Sequence, residues 1–126
     1  MRDLEARIDA ATSLTPAGNR TASANGTGVD LQGYNGAVVV VSAGTITDGT
    51  HTPKVQESDD NSTFTDVAST DLAGTALVAI TANSVQRISY VGNKRYIRVA
   101  TTVSGTTTGG MYTASVLRGY PSRGAL

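Results

Sequence analysis

The sequence predicts an all-β fold, namely an antiparallel β-sandwich of immunoglobulin-like or jelly-roll-like type, with about seven or eight strands and an extended N-terminal arm. The chain of 126 residues has room for one hydrophobic core but not for two. Charged residues make up only 16%, and Thr, Ser and 14 glycines take their place. Such residues suit strands joined by tight turns. From Val29 onward, short apolar runs recur between turn signals, which is the pattern of a sandwich.

Residues 1–28 are predicted to form the N-terminal arm. Leu4, Ile8 and Ala11 recur at helical spacing, which predicts a short helix within residues 2–14. The stretch 15–28 is small, polar and aperiodic, as in an extended or flexible segment. It is either a disordered leader or an arm that orders on a partner.

Residues 29–121 are predicted to form the sandwich, and residues 122–126 a C-terminal tail. The run GAVVVVSAGTI has four consecutive valines, which is typical of a central strand buried on both faces. Asn35-Gly36 before it and Asp48-Gly49 after it indicate hairpins, because both dipeptides accept a type I′ turn. Pro53 cannot donate a backbone hydrogen bond, so the strand HTPKVQES is predicted to have an edge or a bulge there.

The remaining predicted strands are TFTDVAS, ALVAITA, VQRISYVG, RYIRVATTVSG and GGMYTASVLRG. In RYIRVATTV, one alternate set is Ile97, Val99 and Val103, which indicates a half-buried strand with those side chains inward. Applied to all strands, this alternation predicts a core of Val39, Val41, Val55, Phe64, Val67, Ile80, Ile88, Ile97, Val99 and Val116.

Charge is distributed unevenly along a chain whose formal net charge is zero. Residues 72–126 carry six Lys and Arg and no acid, whereas residues 1–71 carry four Lys and Arg against ten acids. Folding either interleaves the two halves or leaves a two-faced particle suited to docking on neighbours. Tyr90 and Tyr96 lie among cations, as in some nucleic-acid-binding surfaces. The zero net charge argues against that function, because binding a polyanion depends on excess cations.

Few side chains are suited to catalysis. The absence of Cys excludes disulfides, thiolate nucleophiles and Cys/His zinc sites. The one histidine, His51, follows a predicted turn, and we expect it on the surface beside a hairpin. There is no nucleophile elbow, and GTITDGTH lacks the lysine of a phosphate-binding loop. We therefore expect no enzymatic activity, no catalytic residue and no cofactor. The longest apolar run, Ala37 to Val41, is too short for a membrane span.

The stretch KVQESDDNSTF concentrates oxygen-bearing side chains between two predicted strands. Glu57, Asp59 and Asn61 alternate as in a calcium loop, but the glycine of the sharp bend is absent. A hairpin tip uses the same residue types, with Asp59 accepting backbone hydrogen bonds across the turn and Asn61 in a left-handed conformation. The missing glycine favours the hairpin, so we expect no metal here.

Two strings, Val29 to Tyr34 and Val55 to Phe64, resemble a family of small structural proteins of tailed bacteriophages, the head or decoration proteins found with capsid genes. The similarity covers roughly residues 28–121. The resemblance implies a virion component without enzymatic activity, made in the host cytoplasm. It also implies a decoration or cement protein that binds the outer surface of the major capsid shell, stabilises the head and forms a homo-oligomer, either dimer or trimer.

Within that hypothesis, the arm orders against the capsid or a neighbouring copy while the sandwich bridges adjacent capsid subunits. Arg2, Leu4 and Ile8 are the predicted docking residues of the arm. Arg95 and Arg98 are predicted to form a second patch that faces an acidic shell. The expected partners are the major capsid protein and further copies of this chain, with neither a membrane nor a nucleic acid involved.

Two other functions fit the same sequence. A head-tail joining or tail structural protein would also suit a sandwich that forms rings. A carbohydrate-binding adhesion module on the virion is the second alternative, and the single Phe and five Tyr weigh against it, because sugar rings usually stack on aromatic side chains.

Overall fold

Two antiparallel sheets form a β-sandwich in the computed structural model, which describes residues 3–121, with side chains through Gly119. The strands are β1 (Ile8–Leu14), β2 (Ala24–Asn25), β3 (Val29–Asp30), β4 (Tyr34–Ile46), β5 (Thr50–Ser58), β6 (Thr65–Asp66), β7 (Leu72–Ala73), β8 (Val85–Tyr90), β9 (Tyr96–Ser104) and β10 (Gly110–Pro121). Sheet A has the order β1-β10-β4-β8-β7, and sheet B has the order β2-β9-β5-β6, with β3 also paired to β9. The predicted all-β sandwich is confirmed.

The N-terminal segment contributes strands to both sheets. The helix predicted within residues 2–14 is wrong: after a 3-10 turn at Glu5–Arg7, β1 pairs with β10. A helix this short is unstable alone, whereas β1 gains a full ladder and buries Leu14 in the core. Ser13 also ties β1 to sheet B, since its Oγ accepts a hydrogen bond from the Val99 amide at 2.9 Å.

The turns differ from the predicted hairpins. Asn35-Gly36 lies inside β4, and the chain turns before it, where Gly33 has a φ of 93°. Asp48-Gly49 does occupy a turn, with a φ of 88° at Gly49, but it joins β4 in sheet A to β5 in sheet B. It is therefore a crossing between the sheets, because the strands it connects do not pair with each other.

The segment ALVAITA, residues 76–82, is not the predicted strand. It lies beside β8 in an irregular conformation, and the Gln86 side chain replaces a partner strand by bonding both the amide and the carbonyl of Val78, at 2.8 and 2.9 Å. Ile80 still enters the core, because its amide donates to the His51 carbonyl at 2.8 Å. Residues 76–82 are therefore held by the Gln86 side chain and one backbone hydrogen bond to β5, and not by the strand pairing that was expected.

The core lies between the two sheets and largely follows the predicted alternation. Eight of the ten predicted residues are buried; the exceptions are Val67, which packs partly buried against the core, and Phe64. Phe64 is only half-buried and lies under the Arg98 guanidinium, whose carbon is 4.1 Å from the ring centroid. The edge position predicted for Pro53 is confirmed, since β9 pairs with it on one side while β6 reaches only Gln56 and Glu57 on the other.

Candidate docking surface

The outward face of sheet A is incompletely covered. β4 was expected to be buried on both faces, yet of its four consecutive valines only Val39 and Val41 are buried, at 0% and 1% exposure. Val38 and Val40 point to the opposite side and are half-buried. Because nothing in residues 3–121 packs over them as a further layer, sheet A leaves an aliphatic surface toward solvent.

Strand pairing arranges the outward residues of sheet A in rows that cross the strands. The rows are Ile8, Gly119 and Gly36; Ala10, Leu117, Val38 and Ser89; Thr12, Ser115, Val40 and Arg87; and Thr113, Ser42 and Val85. We call these residues the sheet A outer face. Among them, Arg87 carries the one charge. An exposed sheet face with so few charges is typical of a surface that contacts another protein.

The outward face of sheet B is different, because its charged side chains already have partners within the sheet. Lys54 lies 3.3 Å from Asp66, and Arg98 Nε donates to the Gln56 side-chain oxygen at 2.8 Å. The hydrogen bond from Gln56 and the ion pair with Lys54 lower the pKa of Asp66. Sheet B therefore presents a polar surface that satisfies its own side chains and gains little from a partner.

A groove of about 580 Å³ opens at one end of the sheet A outer face. Its floor is formed by Gly36, Gly119, Val38 and Leu117, and its walls by Leu4, Ile8 and Val91. Leu4 is 64% exposed and Val91 57%, which are large values for aliphatic side chains. Arg7 is the charged residue that lines it. The groove is thus apolar with one cation at its rim.

The predicted docking residues are divided between different parts of the surface. Leu4 and Ile8 line the groove, whereas Arg98 lies on the outward face of sheet B. Arg95 lies in a neighbouring polar cleft and binds both carboxylate oxygens of Asp30, at 3.0 and 2.9 Å. That contact lowers the pKa of Asp30 and raises the pKa of Arg95. Arg2 lies outside the described residues.

Sequence reasoning missed the groove residues contributed by other strands. Gly36, Val91, Leu117 and Gly119 come from three separate parts of the chain, and only the register of β4, β8 and β10 brings them together. One signal was present, because the alternate set opposite the core in TASVLRG contains Leu117, an apolar side chain where an exposed strand usually has a polar one.

The acidic stretch forms the tip of the β5–β6 hairpin, as predicted. Asp60, not the expected Asp59, caps the turn: its Oδ1 accepts from the amides of Ser62 and Thr63 at 2.9 and 3.0 Å, which lowers its pKa. Asn61 has the expected left-handed conformation, with a φ of 60°. The hydrogen-bonding needs of this turn account for its composition.

The other acids of the stretch bind separate partners. Asp59 pairs with Lys94 at 2.8 Å, and Glu57 points inward and accepts from the Tyr90 hydroxyl at 2.8 Å. Burial and this hydrogen bond raise the pKa of Tyr90. Within residues 3–121, no group of three or more His, Cys, Asp or Glu side chains is placed to hold a metal ion.

His51 is buried and not on the surface, so the expectation for it was wrong. Its side chain is 0% exposed, with Nδ1 3.0 Å from the Tyr112 hydroxyl and Nε2 3.0 Å from the Asp48 carbonyl oxygen. A carbonyl only accepts, so Nε2 donates to it and Nδ1 accepts from Tyr112. The histidine joins the crossing between sheets to β10 and has no access to a substrate.

Comparison with known proteins gives one informative result. No curated protein matches the chain. In residues 3–121 there is also no helix with the length and apolar character that a membrane span needs. A family model described as Bbp16 matches residues 23–116, from the strand β2 to the middle of β10, which is well over half of the chain. The chain therefore belongs to the Bbp16 family.

Proposed function

We propose that this chain is a structural protein of a tailed-bacteriophage virion, a decoration or cement protein that binds the outer surface of the major capsid shell and stabilises the head. The observation that carries the proposal is the sheet A outer face, which faces solvent and carries aliphatic and hydroxyl side chains with a single charge, whereas the charged side chains of sheet B have partners within that sheet. The resemblance of Val29 to Tyr34 and Val55 to Phe64 to phage head proteins supports it.

The area of the sheet A outer face indicates how firmly one copy of such a protein would attach to the shell. Four rows on four strands span about 15 Å by 20 Å, since strands lie about 4.8 Å apart and alternate residues about 7 Å. That is about 300 Å², against about 800 Å² per partner in a standard interface. The rim residues and several copies on one shell would supply the rest, because linked weak contacts add up to tight attachment.

The test compares two lysine substitutions on empty shells assembled from the cognate major capsid protein alone. Val40→Lys places a charge in the centre of the sheet A outer face, beside Arg87. Thr102→Lys places the same charge on the exposed outward face of sheet B. We expect Val40→Lys to abolish co-sedimentation with shells and Thr102→Lys to keep it, because an apolar contact does not tolerate a buried charge.

Shell binding by Val40→Lys equal to that of the unmodified protein would exclude this face as the docking surface. Measuring shell binding in 1 M salt distinguishes the two docking hypotheses, because the screening length there is only about 3 Å. Attachment through the apolar residues of sheet A should persist, whereas attachment through Arg95 and Arg98 to an acidic shell should be lost. In complete virions, labelled protein found at a single vertex would favour a head-tail joining role instead.

A further inference from the structure

Part of the groove floor, at Gly36 and Gly119, is bare backbone where a strand would normally carry side chains. Ile8 pairs with Gly119, and Gly119 pairs with Gly36, so two glycines lie side by side in one row. The last β4–β8 pair joins Ala37 to Tyr90, which brings Val91 to the level of Gly36. Ile8 and Val91 thus stand about 14 Å apart, three strand spacings, and the two described residues between them in this row are both glycine.

The described surroundings give no reason for glycine at position 119. An added Cβ would meet the Ile8 Cγ2 atom at 3.7 Å and the Arg7 carbonyl oxygen at 3.9 Å, both ordinary contacts, and the backbone there does not have a positive φ. Gly26 is different, because a Cβ there would lie 2.6 Å from the Val99 carbonyl oxygen. A glycine inside a strand weakens the strand and often marks a close approach by another molecule.

We propose that the groove is a side-chain socket: it receives one apolar side chain, leucine- or phenylalanine-sized, from an exposed segment of the major capsid protein, with a carboxylate of the same segment against Arg7. This inference rests on the proposed function and names the contact by which it would be achieved. Two aliphatic walls on strands about 14 Å apart leave width for one such side chain over the glycines. A buried anchor surrounded by near-neutral contacts is the usual centre of a protein interface.

Charge selects the capsid segment over a second copy of this chain. Arg7 lines the groove and makes no ion pair with any other residue from 3 to 119, so the rim is cationic. If the grooves of two copies met about a two-fold axis, the two Arg7 side chains would face each other, and like charges at an interface are unfavourable. A segment that carries both an apolar side chain and a carboxylate complements the groove.

The test fills the socket without changing its surroundings. Gly119→Val should fold normally, because valine suits a strand and its Cβ meets only ordinary contacts. Gly44→Val is the matched control: it introduces the same change in β4 at the opposite end of sheet A, where a Cβ would lie 3.8 Å from the Met111 carbonyl oxygen. On empty shells, we expect Gly119→Val to bind at least about tenfold more weakly and Gly44→Val to bind within about twofold of the unmodified protein.

A photo-crosslinking amino acid placed at position 91, on the groove wall, identifies the segment that occupies the groove. The expected product joins this chain to one capsid segment that has a leucine or an aromatic residue next to Asp or Glu. A crosslink between two copies of this chain, with none to the capsid protein, would overturn the assignment in favour of self-association.

The outcomes separate this inference from the proposed function. Loss of binding by Val40→Lys together with unchanged binding by Gly119→Val would refute the socket and leave sheet A as the docking face. Unchanged binding by both would refute the proposed function itself. If Gly119→Val were to fold poorly, Leu4→Ser combined with Val91→Ser would remove two exposed walls without touching the β1–β10 ladder, and undiminished binding by that variant would equally refute the socket.

Discussion

Replacing His51 by alanine should destabilise the protein more than any change of an exposed residue. The substitution removes an imidazole that is 0% exposed and leaves the buried Tyr112 hydroxyl and the partly buried Asp48 carbonyl without their partners at 3.0 Å. It also removes an edge-to-face contact with the Tyr112 ring, at 5.1 Å between centroids. The substitution therefore removes two hydrogen bonds and one aromatic contact near the crossing between the sheets.

The magnitude follows from these losses. Each buried group left without a hydrogen-bond partner costs about 1–3 kcal/mol, and truncating a large buried side chain to alanine costs about 3–5 kcal/mol when the cavity is included. The terms overlap, because the Tyr112 hydroxyl keeps a weak contact with Thr101 Oγ1 at 3.4 Å. We expect a loss of about 4 kcal/mol, a large fraction of the roughly 5–15 kcal/mol that stabilises a typical domain.

The assay is urea unfolding followed by circular dichroism at pH 7, with Thr52→Ala as the control. Thr52 is the next residue of β5 and is exposed, so its truncation should change stability by less than about 0.5 kcal/mol. His51→Gln should recover part of the loss, since an amide can still donate and accept. A free energy of unfolding for His51→Ala within about 1 kcal/mol of the unmodified protein would refute the reasoning from burial and hydrogen bonding.

Three further predictions concern contacts between distant segments. Gln86→Ala removes both hydrogen bonds to the Val78 backbone, so it should cost about 1 kcal/mol and speed hydrogen exchange at residue 78; unchanged exchange there would contradict this. Arg118→Met removes the guanidinium that bonds the Asp30 carbonyl at 2.9 Å and should cost about 2 kcal/mol in urea unfolding. Amides of residues 107–109 lower the pKa of Asp48, so its stabilisation is present above its ordinary pKa of 3.8 and is lost as pH falls through the lower folded value. Asp48→Ala should therefore flatten the dependence of the melting temperature on pH below about pH 4, and an unchanged slope would count against the contact.

The sequence predicted those parts of the fold in which the local pattern and the tertiary environment agree. In β9, Ile97 and Val99 alternate with polar residues, and the strand lies as that pattern indicates. At residues 8–14, the apolar spacing indicated a helix, but pairing with β10, a hundred residues away in the chain, decided the outcome. His51 could not be placed from sequence for the same reason, because its partner Tyr112 is 61 positions distant.

The candidate surface was predicted only where a single segment contributes to it. Leu4 and Ile8 lie together in the first residues of the chain, and both line the groove. The glycine floor needs the register of three strands, which no local pattern supplies. The pairing of β1 also changes how the arm can be tested: deleting residues 1–20 would remove an edge strand of sheet A, so lost binding would not distinguish docking from unfolding.

The pairing of Ile8 with Gly119 also has a consequence during synthesis. Of the described strands, β1 leaves the ribosome first and its partner β10 leaves last, so β1 has no partner strand until the other eight have been synthesised. Contacts so distant in sequence form late in folding. Because Ile8 stands on one strand and Gly119 on the other, the groove exists only in chains translated through β10. Prematurely terminated products would lack it, so under the proposed function they would not compete with full-length copies for places on a growing particle.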